Sequence, residues 1–311
     1  MSLTLSAPGK VNLGLRILGR RADGYHRLES LFLPIELADT VSLALRPGRG
    51  VGLQVSGAAA GVPADASNLA VRAAAAFLAE AAQPGGVELR LEKRLPAPGG
   101  LGGGSSDAGA VLRGLAELLP GRVAAGRLRA LALGLGADVP FFLAPAPALV
   151  TGIGEEILPV DGLPALTLLL AHPGTPLATA AVYAELDSAA TSLTPSGPGP
   201  SIRALRALRE EAGRARAGPI ETSLRALVVN DLEPAASRLC PAVSELRKEI
   251  EANGALAASL SGSGPTVFGV FPDEAAAGEA QRRIARRPGL RTWVVKTAPS
   301  VGLPAAGPAG A

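Results

Sequence analysis

Cysteine occurs once in 311 residues, at Cys240, so no disulfide can form within the chain and a reducing compartment, the cytoplasm, is the expectation. Aromatic residues are nearly as scarce at 3%, so each one in a polar segment calls for a reason. An excess of one charge is also lacking. Thirty basic residues against 27 acidic ones leave only +3, which over this length makes no nucleic-acid-binding field. No uninterrupted apolar run reaches the roughly 18 residues that span a bilayer. The opening MSLTLSAPGK has no basic stretch followed by an apolar core, so neither a membrane role nor a signal peptide is expected. Lysine is confined to Lys10, Lys93, Lys248 and Lys296, arginine supplying the remaining basic residues.

What is abundant is apolar surface: 48% hydrophobic against 18% charged residues excludes wholesale disorder, and the length suits two ordinary domains. Alternating apolar residues predict strands at 11–18, 28–37, 40–45 and 51–55, separated by Asp-Gly, Ala-Asp and Pro-Gly turn signals, as in a meander. Ser67-Asn68 caps an apolar-periodic helix from Leu69, and 87–91 alternates again as a strand. Helical periods follow to Leu118 and over 127–135, with a strand around Leu149, the turn TGIGEE and a boundary near residue 158. Beyond it, strands are predicted at 166–170, 256–260, 267–271 and 291–295, and helices near 202–212, 242–252 and 275–285. A Pro/Gly/Ser-rich loop at 191–201 and a frayed tail at 298–311 complete the chain.

The most unusual segment is PAPGGLGGGSSDAG, from Pro96. Glycines running into a helix start let backbone N–H groups converge on an anion, and the helix adds about half a positive charge there. The G-x-G-x-x-G pattern fails at Ser105 and Asp107, and no Gly-Lys pair follows the loop, which excludes the dinucleotide and P-loop fingerprints. Ser105 and Ser106 can cap the helix and offer hydroxyls to phosphate or Mg²⁺. Two further segments stand out: SAPGKVNLGLRI, with Lys10 and Asn12 on one face of a strand, and SLSGSGPTVFG, with Ser261, Gly262, Ser263 and Gly264 between two strand-like runs.

In order and spacing, APGKVNLGLRI, PAPGGLGGGSSDAG and SGSGPTVFG resemble the three motifs of the GHMP kinases, small-molecule kinases named for galactose, homoserine, mevalonate and phosphomevalonate. GRRADGYHRLESLF, GLGADVPFFL and TGIGEE are similar, more narrowly, to the branch acting on 4-diphosphocytidyl-2-C-methyl-D-erythritol, and the likeness covers all but the tail and residues 191–218. The resemblance implies an α+β, two-domain fold with an N-terminal half like ribosomal protein S5 domain 2 (1–158) and a ferredoxin-like C-terminal half (159–297). It implies transfer of the ATP γ-phosphoryl to the 2-hydroxyl of that acceptor, in the non-mevalonate route to isoprenoid precursors.

Residue by residue, it makes Asp138 the catalytic aspartate and Lys10 the lysine that keeps it ionised. Pro96, Ala97, Pro98, Gly99, Gly100, Leu101, Gly102, Gly103, Gly104, Ser105 and Ser106 would wrap the ATP phosphates, with Ser105 or Ser106 helping to place Mg²⁺. Asn12, Tyr25, His26, Thr179 and Tyr183 would meet the cytidine diphosphate substrate, and Ser261 to Gly264 form the third motif. Asp107 could face a metal, solvent or the helix N-terminus, the last being preferred. Ala178 stands where relatives often have serine, and His172, before Pro-Gly, reads as a surface or capping histidine.

Two other function classes fit the sequence less well. Arg203, Arg206, Arg209, Arg214 and Arg216 recur at helical spacing, but Glu210 and Glu211 interrupt them and no aromatics interleave, so a solvated face outweighs RNA binding. A non-catalytic module with this fold predicts loss of Lys10, Asp138 or the glycine loop, and all three are present. An acceptor such as mevalonate, homoserine or a sugar has no use for a base-stacking Tyr-His pair.

Overall fold

A computed structural model describes residues 1–83, 85–189 and 220–298. The expected loop at 191–201, the arginine-bearing helix near 202–212 and the tail beyond residue 298 lie outside them.

The N-terminal half is assembled around one strand. β1 (Ser2–Arg20) and β2 (His26–Arg46) form a long antiparallel ribbon. The other edge of β2 carries β4 (Gly86–Lys93) opposite residues 40–46 and β5 (Ala148–Thr151) opposite residues 30–32. Outside these lie β3 (Gly50–Gly57) and β6 (Glu156–Pro159), giving the order β3-β4-β2-β5-β6 with β1 paired to β2.

This corrects the meander in two places. β3 pairs with β4 in parallel, so the chain must cross over between them, and it does so through helix α1 (Leu69–Glu80), capped by Asn68 accepting from the Ala70 amide at 2.9 Å. The Ala38-Asp39 turn does not exist either. β2 continues through it, with a shift in its register against β1 between Ala38 and Pro34, and the Asp39 carboxylate is buried and engaged with the chain around Lys93.

Helices α2 (Gly103–Leu118) and α3 (Ala125–Leu135) join α1 in this half, and a short 3₁₀ turn (Pro140–Leu143) follows α3. The C-terminal half carries an antiparallel sheet of β7 (Thr167–His172), β8 (Ala257–Leu260), β9 (Val267–Phe271) and β10 (Arg291–Lys296), ordered β10-β7-β9-β8. Numbered within the sheet this is 4-1-3-2, the ferredoxin-like arrangement. Its described helices are α4 (Thr179–Ser188), α5 (Ile220–Leu227), α6 (Glu233–Leu239), α7 (Ala242–Ala252) and α8 (Glu274–Ile284).

The hydrophobic core does not respect the division between the sheets. One cluster joins Leu15, Phe32, Phe141 and Phe142 to Leu232, Val243 and Phe271, burying both halves against each other. Main-chain bonds cross as well: Leu15 N–H donates to Val229 at 2.8 Å, and Asp231 N–H donates back to Leu15 at 3.0 Å. The two halves are thereby held in fixed register around the cleft between them. No described helix is long and apolar enough to cross a membrane.

Candidate active site

The cleft, about 930 Å³, is lined by all three glycine-bearing motifs and by α4. The glycine loop is its floor. Gly102, in left-handed conformation at φ 72°, caps α2 with backbone alone, so the helix starts at Gly103 and both serines lie inside its first turn rather than capping it. The Ser106 amide bonds to the Gly102 carbonyl at 2.8 Å, leaving the amides of Gly103, Gly104 and Ser105 ahead of that bond at the mouth of the helix. Gly104 has open space where a Cβ would stand, whereas a Cβ on Gly100, at φ +71°, would strike the Ser261 carbonyl oxygen at 2.2 Å. The loop is therefore shaped both to approach a ligand and to interlock with the third motif.

The structure separates the two serines. Ser105 lines the cleft. Ser106 is fully buried and its hydroxyl donates to the Pro8 carbonyl at 2.7 Å, facing away from it. Within 96–101 only Gly100 lines the cleft.

Lys10 enters from β1, buried to 3% exposure. Its ammonium donates to Asn12 Oδ1 at 2.5 Å and to the Gly100 carbonyl at 3.3 Å, lies 4.7 Å over the Phe32 ring, and stands 3.7 Å from Asp138 Oδ2. Burial lowers the Lys10 pKa, and the Asp138 carboxylate opposes that shift. Asp138 sits between α3 and the 3₁₀ turn, its side chain one-third exposed to the cleft. Asn12 is locked in turn, donating to Ser30 Oγ at 2.8 Å, while Ser30 donates to the Gly14 carbonyl at 2.6 Å. Lys10 is thus aimed by a chain of buried hydrogen bonds.

The third-motif loop connects β8 to β9. Ser261 donates to the Gly100 carbonyl at 3.0 Å, and Ser263 shares a 2.8 Å hydrogen bond with Thr179 at the start of α4. Gly262 and Ser263 line the cleft, while Ser261 and Gly264 lie behind them, a Cβ on Gly264 being excluded by Leu260 at 2.6 Å.

At the far end, His26 and Tyr183 pack with ring centroids 5.0 Å apart and planes tilted by 31°. Tyr25 projects from the hairpin at 60% exposure. Burial, with the Asp138 charge second, raises the Tyr183 hydroxyl to about 12, so it is a neutral donor at ordinary pH. Ala178 is the N-cap residue of α4, with extended backbone and no side-chain cap.

Sequence reasoning missed two residues here. Asp187 Oδ1 lies 2.8 Å from His26 Nε2, and since a carboxylate only accepts, Nε2 donates to it. The signal was available: Thr179, Tyr183 and Asp187 are spaced by four along one helix, and all three line the cleft. Asn230 holds the third-motif loop from beneath, its amide donating to the carbonyls of Leu260 and Gly262 at 2.8 Å each. No local pattern marks it. His172 was misread: it is 2% exposed, its Nε2 bonding to the Pro98 carbonyl at 2.9 Å and its Nδ1 accepting from Gly174 N–H at 3.0 Å. Asp107 likewise lies past the first turn of α2, buried against Lys93 rather than capping the helix N-terminus or facing solvent.

Comparison with known proteins agrees with this geometry. Residues 68–145 match the model for the GHMP kinases N terminal domain, and residues 204–289 match the GHMP kinases C terminal model. A 4-diphosphocytidyl-2-C-methyl-D-erythritol kinase from Geobacter sulfurreducens is 39% identical over 294 residues, 94% of this chain and 96% of that protein. The enzyme of the same name from Deinococcus radiodurans is 41% identical over 302 residues, covering 96% and 93%. A crystal structure of 4-(cytidine 5'-diphospho)-2C-methyl-D-erythritol kinase superposes with a TM-score of 0.74 at 39% identity, covering 94% of this chain and 98% of that one. Homoserine kinase from Cytophaga hutchinsonii, at 22% identity and a TM-score of 0.69 over 96% of this chain and 95% of that one, shares the fold. With relatives near 40% identity matched along nearly their whole length, the chain belongs to the 4-diphosphocytidyl-2-C-methyl-D-erythritol kinase family of GHMP kinases.

Proposed function

We propose that this protein transfers the γ-phosphoryl of ATP to the 2-hydroxyl of 4-diphosphocytidyl-2-C-methyl-D-erythritol, giving the 2-phosphate and ADP. The observation that carries the reading is the meeting of three parts in one cleft: the glycine cradle, the Lys10–Asp138 pair and the His26–Tyr183 wall.

Phosphoryl transfer asks the protein for alignment and charge neutralisation more than for covalent chemistry. The nucleotide phosphates suit the open backbone at Gly103, Gly104 and Ser105, where helix amides and the macrodipole favour anions. Asp138 would accept the proton of the acceptor hydroxyl, while Lys10, 3.7 Å away, orients it and adds positive charge near the transferring group. The buried bonds to Asn12 and Gly100 keep that ammonium from drifting.

Among the described residues no group of three or more His, Cys, Asp or Glu side chains could hold a metal ion. Mg²⁺ therefore fits as the ion carried by the nucleotide, with the cleft-facing Ser105 hydroxyl as the side chain able to reach it. When bound, such an ion neutralises charge on the phosphates.

The cytosine belongs at the other end. Rings 5.0 Å apart leave no room for a base between His26 and Tyr183, so the base stacks on their cleft side with Tyr25 closing over it. His26, its ring held by Asp187 through Nε2, suits a hydrogen bond to the cytosine edge. The compartment we propose is the cytoplasm, whose reducing poise suits the unpaired Cys240.

The test is product identification. Incubation with Mg·ATP and the nucleotide alcohol yields a new phosphate-monoester signal by ³¹P NMR, coupled to the 2-position. A monoester elsewhere on the molecule, or none, contradicts the assignment.

A further inference from the structure

Beneath the glycine loop, outside the cleft, lies an ionic knot: Asp39, Lys93 and Asp107, exposed to 1%, 3% and 2%. Lys93 Nζ donates to both carboxylates, reaching Asp107 Oδ2 at 2.5 Å. The free oxygen of Asp39 accepts from the Arg94 amide at 2.6 Å and the Leu95 amide at 2.9 Å. Asp39 on β2 therefore fixes three successive residues immediately before Pro96. Lys93 then ties that point to the second turn of α2, where the loop re-enters regular structure. The loop leaves from and returns to the same knot. Its floor is close too: a Cβ on Gly103 would lie 3.6 Å from Asp39 Oδ2.

Stability does not account for the arrangement. Burying two carboxylates with one ammonium carries a desolvation cost that apolar replacements of similar volume avoid. One carboxylate oxygen, Asp107 Oδ1, is buried with no partner at all. None of the three residues lines the cleft, so none contacts a ligand there.

We infer that Asp39, Lys93 and Asp107 are positioning residues for the nucleotide, clamping both ends of the glycine loop so that its backbone donors stand ready before the phosphates arrive. The inference rests on the reading of the loop as the ATP phosphate cradle. Preorganised donors lose effect steeply when displaced, so releasing the clamp weakens nucleotide binding and leaves the acceptor end of the cleft alone.

The experiment measures ADP affinity by calorimetry together with both KM values, in the parent, Lys93→Met and Lys93→Arg. Lys93→Met is expected to weaken ADP binding and raise the KM for ATP about tenfold or more, with the KM for the nucleotide alcohol within about twofold. Lys93→Arg, which keeps a charge able to reach both carboxylates, restores most of the affinity. Unchanged ADP affinity in folded Lys93→Met overturns the proposal, as does an equal rise in both KM values or an arginine variant no better than methionine. Should Lys93→Met fail to fold, the triple variant Asp39→Asn, Lys93→Met, Asp107→Asn buries no charge and carries the same expectation and the same contradictions. The two readings fail differently: ADP that binds parent and variant equally overturns the clamp alone, ADP that binds neither overturns the cradle with it, and ADP binding without turnover of the alcohol overturns the acceptor alone.

Discussion

Lys10 Nζ faces Asp138 Oδ2 across 3.7 Å, the lysine buried midway along β1 and the aspartate open to the cleft. The lysine is anchored independently of its partner, through Asn12 and Gly100, so removing the carboxylate leaves the ammonium in place. Asp138→Ala is therefore expected to lower kcat about 10²- to 10⁴-fold with nucleotide affinity retained. Steady-state kinetics with calorimetry on ADP checks it, and near-parental turnover removes Asp138 from the chemistry.

The acceptor end predicts the opposite split. His26→Ala deletes both the edge hydrogen bond and the ring packed on Tyr183, which raises the KM for the nucleotide alcohol while kcat changes little. Base-stacking contacts run about 1 to 3 kcal/mol, roughly 5- to 150-fold in affinity. Asp187→Asn separates the two roles: stacking survives and only the hold on the His26 ring is altered, so its effect is smaller than that of His26→Ala. An Asp187→Asn effect as large as the His26→Ala loss contradicts this division of labour.

A third expectation concerns pH. Burial lifts the Asp107 carboxyl from 3.8 to about 7, Lys93 opposing the shift and Asp39 adding to it. The folded state then holds a proton that the unfolded chain gives up near 3.8, so this group's contribution is complete below that value and is lost as pH rises through about 7. Asp107→Asn removes the loss, and its melting temperature relative to the parent rises between pH 5 and pH 8. A constant difference across that range contradicts the assignment.

Ala178 yields a stability prediction free of any ligand. It occupies the N-cap of α4 with extended backbone, φ −78° and ψ 128°, and offers no side-chain acceptor. Ala178→Ser supplies one and should stabilise the protein by about 1 kcal/mol, a rise of a few degrees in melting temperature. A serine here acts on this geometry as a helix cap, so KM for the acceptor is expected to stay unchanged. A changed KM without a change in melting temperature assigns that hydroxyl to the substrate instead.

What the sequence revealed, and what it hid, follows from the range of the forces involved. The centres of most strands, the capped α1 and the glycine loop were legible because periodicity and capping act over a few residues. Lys10, His26, Tyr183 and Asp138 were legible through their motifs. The errors sit where a distant partner overrides local preference. Aspartate is a turn former, yet Asp39 continues a strand because Lys93, 54 positions away, neutralises it. His172 precedes Pro-Gly and reads as exposed, yet it is covered by Pro98 from the loop 74 positions earlier. Ser105 and Ser106 look equivalent in a row, and only the pitch of α2 sends one to the cleft and the other to Pro8. Asp187 alone could have been found, from its four-residue spacing with Thr179 and Tyr183.

The most direct test of the account is Mg²⁺-dependent ADP release from ATP with 4-diphosphocytidyl-2-C-methyl-D-erythritol, mevalonate, homoserine and galactose offered separately to the purified protein. Turnover is expected with the cytidine compound alone. Turnover with another acceptor in its place, or with none of the four, contradicts it.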